Sequence, residues 1–525
     1  MLAFSLPFLF VILFTTTPAQ PYKATNRFFL NCGSSTASNS YSDQRWEGDQ
    51  HSKFVSNVTT TSFSSTPDHL DSSVPQIPYS TARIFNTSSF TYTFPVSKGP
   101  KFLRLHFYPA TYSGLNTEQS FFSVSSNGYS LLTNFSAFLA VSFLRNTRTD
   151  AGARVVKEFL IHVKDTQILD VTFTPSPNSY AFINGIEIVS VPENLYFNAK
   201  TPKYVNQYSG PIIDTNTALD NIYRLNMGGG EISGNDDTGM NRAWDQDNDY
   251  IYGAAIGLTP LYNNPIMYTT ETPNYTAPET VYQTQRSMGK LSDKYNLTWI
   301  LPVDSGFYYL LRLHFCNIIP QYTKRGQVVF KIFVNNITAE EEADLFYWTR
   351  GSGYPVFKDY IVFVNDPDGK RSKQDLWLAM HPSRNSELYL DAYLNGLEVF
   401  KLSMDKNLAS PNPELSSPTT PTTLIVQNKK KKTSYAMIIG GIGGVLVLLS
   451  ILVLIVLLQR RRSKHYGAVY DRSSYGPAYS ESKFTKSSHS TLPSDEDDDN
   501  VFAAATKMGY RSETVFSDIL KPAGR

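Results

Sequence analysis

Cysteine is nearly absent: the 525-residue chain has two, Cys32 and Cys316. So few thiols exclude a disulfide framework of the kind that staples small secreted domains, and a region this long can bury enough core without one. The pair can still bridge in an oxidising compartment, which would tie two parts of the chain together rather than staple one. Charge of one sign is lacking as well. The formal net charge is +1, so no global field draws the chain to nucleic acid or to an acidic membrane surface. Long helical periodicity is missing from residues 26 to 403, which argues against a helical bundle.

Long apolar runs are confined to two places. Leu2 to Phe14 is almost wholly apolar and is followed by Thr17-Pro-Ala19, small residues where a signal peptidase cuts, so residues 1–19 read as a secretory signal. Ala436 to Leu458 carries no charge and as a helix reaches about 34 Å, enough for a hydrocarbon core of ~30 Å. It is predicted to be a transmembrane helix. Within it Gly440 and Gly444, with Ala436 one turn earlier, form a small-residue face suited to close helix packing. Basic residues flank both ends, so charge bias does not set the orientation. The N-x-S/T sequons do: Asn57, Asn86, Asn134, Asn274, Asn296 and Asn336 all precede the span. A glycosylated outer face and a type I, single-pass plasma-membrane topology are expected.

What the sequence does contain, it contains twice. Tyr79-Ser-Thr-Ala-Arg83 returns as Tyr282-Gln-Thr-Gln-Arg286, Leu103-Arg-Leu-His-Phe107 as Leu311-Arg-Leu-His-Phe315, and Ile183-Asn-Gly-Ile-Glu187 as Leu394-Asn-Gly-Leu-Glu398. An offset of about 200 residues is too long for a solenoid and marks a duplicated domain. In the repeated strand Leu103, Leu105 and Phe107 alternate with Arg104 and His106, the period of a half-buried strand. Asn127-Gly128, Asn184-Gly185 and Asn395-Gly396 read as hairpin turns. The expected fold class is therefore all-β: two tandem antiparallel β-sandwiches over 26–192 and 221–404, joined by an ordered connector, 193–220. A Pro/Ser/Thr-rich stalk over 405–435 and a mostly disordered cytosolic tail over 459–525 complete the layout.

The candidate chemistry is sparse. Trp244-Asp-Gln-Asp-Asn-Asp249 alternates carboxylates as calcium loops do, but Tyr250 and Ile256 stand where an EF-hand needs Gly and Glu. A structural loop with Trp244 packed inside is the preferred reading, and neither metal nor cofactor is called for. Arg104 with His106, and Arg312 with His314, share strand faces without a convergent third group, which points to architecture rather than catalysis. Tyrosine suits a sugar- or peptide-binding face, being flat and apolar with a polar tip. The cleft between the repeats is the default concave site, with Tyr196, Tyr204, Tyr208, Trp244, Asp245 and Asp247 as its candidate lining.

The blocks Phe29-Leu-Asn-Cys-Gly-Ser34, Tyr79-Ser-Thr-Ala-Arg-Ile-Phe85, Phe102-Leu-Arg-Leu-His-Phe107 and Arg224-Leu-Asn-Met-Gly-Gly229 resemble the tandem malectin-like ectodomain of the plant receptor-like kinases typified by FERONIA, THESEUS, HERCULES and ANXUR. The resemblance covers about residues 26 to 404. It implies two malectin-like β-sandwiches facing the cell wall, with wall glycan or pectin, a rapid-alkalinization-factor-type peptide and a GPI-anchored co-receptor as partners. It also implies homo- or hetero-oligomers with kinase-bearing relatives. Those relatives continue into a Ser/Thr kinase. The Gly-rich loop, strand lysine, His-Arg-Asp loop and Asp-Phe-Gly of a kinase are not found after Leu458. The expectation is a non-enzymatic receptor-like protein, with a truncated kinase-gene product or a wall-to-membrane anchor as alternatives.

Overall fold

The alternating strands of both repeats pair into a single sheet. The computed structural model describes residues 21–40, 44–50, 52–55, 62–86, 88–149, 151–197, 202–253, 257–289, 295–367, 369–370 and 372–414. The signal peptide (1–19), the span (436–458) with Ala436, Gly440 and Gly444, the tail (459–525) and Asn57 lie outside the described residues. Among the described residues, no helix is long and apolar enough to cross a membrane.

Twelve described strands form the central sheet. From the second repeat come Val356–Val364, Phe307–Phe315, Gly396–Leu402 and Leu219–Asn226, in that spatial order; Val155–Val163, Gly99–Phe107, Gly185–Ser190 and Arg27–Asn31 follow from the first. The join is made by main chain, with Glu158 opposite Asn221, Phe159 opposite Asp220 and Leu160 opposite Leu219. Each repeat adds its own four-stranded sheet in the same order. The first has Phe90–Pro95, Ile168–Pro175, Phe122–Ser126 and Tyr129–Phe135; the second has Leu297–Asp304, Lys373–Pro382, Phe330–Val334 and Ile337–Ala343. Separate apolar cores fill the two gaps between layers, one around Leu103, Leu105, Phe107 and Phe173, the other around Leu311, Leu313, Phe315 and Trp299.

The expectation of half-buried strands is corrected: all nine residues of Gly99–Phe107 are buried. The Arg104 and His106 face is not solvated: Tyr79 and Trp46 lie against His106, Met240 O accepts from Arg104, and the connector continues the cover at Phe102. Leu195, Tyr196 and Phe197 pack with Phe102, Leu160, Leu219, Met240, Leu310 and Phe400 into a third cluster along the seam. The central sheet is thus covered on both faces around the join.

Two Asn-Gly pairs prove not to be hairpins. Asn127-Gly128 turns between Phe122–Ser126 and Tyr129–Phe135 with positive φ at both residues, as a type I′ turn requires. Asn184 and Asn395 are fully buried, each at a corner where the chain passes from a short strand into the central sheet. The Asn184 amide accepts from Tyr108 N and donates to Thr81 O and Tyr112 OH. Asn395 accepts from Cys316 N and donates to Thr284 O. A Cβ on Gly185 would sit 2.6 Å from Pro78, and one on Gly396 would sit 2.6 Å from Val281, so close packing selects glycine there.

The all-β expectation is refined to mostly β. An 11-residue helix, Ala137–Thr147, is capped by the Ser136 side chain, which accepts from Leu139 N. Its near-continuous apolar run, Ala-Phe-Leu-Ala-Val, conceals the helical period. The stalk expected from residue 405 also starts later. Leu408 is fully buried in the core of the first repeat, because a leucine in an otherwise polar segment stabilises docking by the apolar area it buries.

Candidate functional site

The face of the central sheet turned away from the cores carries a run of charge that crosses from one repeat to the other. In the first repeat the Tyr79 hydroxyl meets His106 Nδ1 at 2.7 Å and His106 Nε2 meets Glu187 at 2.8 Å. Arg104 then bonds both Glu187 and Glu158. In the second repeat Tyr282 meets His314 Nδ1 at 3.0 Å, and His314 Nε2 meets Glu398 at 3.2 Å. Arg224 closes the chain, donating to Glu398 at 2.9 Å and to Glu158 at 2.7 Å. These charged groups are all buried. Alternation explains their placement: the leucines and phenylalanines of each strand take the core face, and the charged residues between them are left to pair on the other.

The protonation states follow from the partners. A carboxylate only accepts, so His314 Nε2 donates to Glu398. Burial holds His314 below its usual value, so the ring is neutral and Nδ1 accepts from Tyr282. Burial alone would raise the glutamates. Arg224 and Arg104 instead hold Glu158 below its ordinary range, as do the His314 hydrogen bond and Arg224 for Glu398. Glu187, facing His106 and Arg104, is held down to about 2.

These shifts predict how stability depends on pH. Carboxylates depressed in the folded state contribute stability that is complete above the unfolded value of ~4.3 and is lost as pH falls through the folded one. His314 adds an earlier, smaller decline, since below about 6.5 the unfolded imidazole takes a proton that the buried ring refuses. Melting temperature measured from pH 7 to 2 should sag slightly below 6.5 and fall steeply between about 4.5 and 2. A flat profile down to pH 3 would contradict the network.

Below each end of this network lies a matched anchor. Asp49 accepts from Arg83 Nε (3.0 Å) and Nη2 (2.7 Å), Tyr92 OH (2.7 Å) and Gly33 N (2.8 Å). Asp247 accepts from Arg286 Nε (3.0 Å) and Nη2 (2.5 Å), Trp299 Nε1 (2.8 Å) and Gly228 N (3.0 Å). The calcium-like loop is therefore the second copy of Arg45-Trp-Glu-Gly-Asp49. Its central carboxylate is saturated by four donors, which leaves it no lone pair for a cation. Trp244 is fully buried and meets the His314 ring edge-on at 5.5 Å, as Trp46 meets His106 at 5.5 Å.

Of the six residues expected to line a cleft, three are removed from any ligand by burial: Tyr196, Trp244 and Asp247. Tyr196 donates to Glu398 at 2.7 Å, accepts from Arg242 at 3.2 Å and lies under the Arg312 guanidinium. Tyr204 is half-buried, its hydroxyl on Pro211 O at 3.1 Å. Asp245, with 41 % of its side chain exposed, pairs with Arg148 at 2.8 Å. Only Tyr208 is fully exposed. The cleft they were to line is filled by the connector. A depression of about 170 Å³ remains beside Leu195, Tyr275, Thr276 and Phe357, smaller than the ~300 Å³ at which small-molecule sites begin.

Cys32 and Cys316 are buried free thiols, one in the core of the first repeat and the other in a satellite cluster of the second. Among the described sequons, Asn86, Asn134, Asn296 and Asn336 are exposed and Asn274 is half-buried. Glu158, Glu187, Arg224 and Glu398 escaped sequence reasoning as a set. A signal was there in the charged residue that closes each copy of the Asn-Gly block, Glu187 and Glu398.

Residues 30–402 match the malectin-like domain family. The receptor-like protein kinase FERONIA of Arabidopsis thaliana is 46 % identical over 410 residues, covering 76 % of this chain and 45 % of that protein. This chain thus spans about half the length of the curated relatives it matches. The crystal structure of the Arabidopsis thaliana ANXUR2 extracellular domain superposes with a TM-score of 0.68 at 38 % identity, covering 74 % of this chain and 100 % of that one. A crystal structure of the plant peptide RALF23 in complex with FER and LLG2 matches with a TM-score of 0.66 at 45 % identity, over 75 % of this chain and 99 % of that chain.

Proposed function

The chain belongs to the malectin-like family, with an ectodomain like those of cell-surface receptor kinases, and from that premise we propose that it is a plasma-membrane receptor-like protein. Its tandem β-sandwich ectodomain captures a secreted peptide of the RALF type together with a GPI-anchored co-receptor. The observation that carries this reading is the 45 % identity, spread over nearly the whole matched chain, to the protein crystallised with RALF23 and LLG2. A wall-glycan role has less support, because Tyr196 and Trp244, two of the aromatic residues expected to hold a sugar there, are buried.

The ectodomain's own contribution is binding. Glycoside hydrolysis needs two free carboxylates at roughly 5–10 Å. Of the two neighbouring carboxylates of the Trp244 loop, Asp247 is saturated by Arg286, Trp299 and Gly228 and Asp245 is paired with Arg148. Signalling then passes through oligomers with kinase-bearing relatives. Surface plasmon resonance on the secreted ectodomain tests this, using RALF23 and LLG2 as probes. The expected result is peptide binding that strengthens when LLG2 is present. Binding of neither, or turnover of a wall oligosaccharide, would overturn the proposal.

A further inference from the structure

After its last long strand, Gly396–Leu402, the chain does not leave the second repeat outward. It crosses the seam and is stitched to the first. Ser130 N donates to Lys406 O at 2.9 Å, and Leu408 N donates to Ser130 O at 2.9 Å. Leu408 enters the first core, not the second. Asn412 fastens the far end: its side-chain oxygen accepts from Ser136 N at 2.8 Å and its amide donates to Asn134 O at 2.6 Å. The root stays on the second repeat, where Lys401 reaches the Ser410 hydroxyl at 3.0 Å.

The fastening point is also a helix terminus. Ser136 caps the helix Ala137–Thr147, and the other end of that helix returns to the second repeat. Arg148 bonds Asp245 at 2.8 Å, and Thr149 bonds Asp249 through its amide at 3.1 Å and its hydroxyl at 2.8 Å. One short helix is therefore held by the strap at its start and by the Trp244 loop at its end.

We propose that Met404–Asn412 is a tension clasp. A pull arriving along the stalk is taken up by the first repeat, and release of the strap frees the start of the helix and weakens the Arg148–Asp245 and Thr149–Asp249 contacts across the seam. Force applied beyond residue 412 loads Asn412 first, then the Ser410 bond to Lys401 and then Leu408, one attachment after another, whereas the sandwich strands share load over whole ladders of hydrogen bonds. The strap yields first. Its nine residues have a contour of about 30 Å at ~3.3–3.6 Å per residue, and the extension on release is that length less the distance the docked strap already spans. The inference rests on the membrane-tethered reading above. The clasp itself is measured on the ectodomain, so failure of one leaves the other standing.

The described residues fall within one compact unit, and the extracellular domain of ANXUR2 has been crystallised, so the secreted ectodomain is a fair test object. With optical-tweezers handles at Glu118→Cys and Glu414→Cys, a reversible step of at most about 30 Å should precede the large unfolding events. Leu408→Ala with Asn412→Ala should lower the force of that step by about half and raise amide exchange at 137–149 and 245–249 by about tenfold, leaving 307–315 unchanged. A Ser130→Cys/Asn407→Cys cross-link, joining residues paired in the structure, should shorten the step to the five residues beyond it, at most about 17 Å. Absence of the step, an unshortened step in the cross-linked protein, or an exchange increase confined to 129–136 would overturn the clasp.

Discussion

Arg224→Met should destabilise both repeats together, by about 3–5 kcal/mol, enough to cut secretion sharply. Arg224 is the only described group that holds a glutamate from each repeat, Glu158 on one side and Glu398 on the other. Both carboxylates are buried, and without the guanidinium each keeps its desolvation cost and loses a partner. Arg104 still reaches Glu158, and His314 still reaches Glu398, so the loss stops short of two bare charges. The check is the secreted yield and the melting temperature, beside a variant that adds Glu158→Gln and Glu398→Gln. Neutralising the stranded acids should restore part of the stability, since a buried pair replaced as a whole is often close to neutral. A melting temperature unmoved by Arg224→Met would mean the bridge contributes nothing.

Asp247→Ala should cost a similar amount, about 3–5 kcal/mol, by leaving the Trp299 indole N–H and the Gly228 amide without their acceptor and by taking the carboxylate from the buried Arg286 guanidinium, which keeps Asn248 in reach. Asp49→Ala should do the same to the first repeat, where Arg83, Tyr92 and Gly33 play the matching parts. Trp299 donates directly to Asp247, so tryptophan fluorescence reports the loss in the second repeat at its source. Melting curves should be unaffected by added calcium or by EDTA, for a carboxylate saturated by four donors has no place for the ion. A calcium-dependent melting temperature that disappears in Asp247→Ala would reverse the assignment of this loop.

The duplication was legible because it is written in letters: strands with identical sequences fold alike, and Tyr79/Tyr282 with His106/His314 occupy equivalent places. The pairing of Glu158–Leu160 with Leu219–Asn221 was not legible. Nothing local distinguishes a strand that will pair within its own repeat from one that will pair across, so two separate sandwiches looked natural and one shared sheet did not. That pairing also explains the misread burial. Alternation of Leu with Arg and His normally signals one wet face, yet here the polar face is dry because a second repeat and a connector cover it. Asn184-Gly185 failed as a hairpin for a related reason: the turn chemistry was read correctly, but both asparagine amides are used to tie three segments at a corner. The aromatic connector misled in the same direction, since Tyr196 serves the seam with the amphipathic character that would have suited a sugar.

The central claim is that the two repeats are one folded body, continuous through the sheet and locked by the Arg224 bridge. Differential scanning calorimetry of the secreted ectodomain tests it most directly. A single transition is predicted, with calorimetric and van't Hoff enthalpies in agreement. Two resolved transitions, one for each repeat, would contradict it.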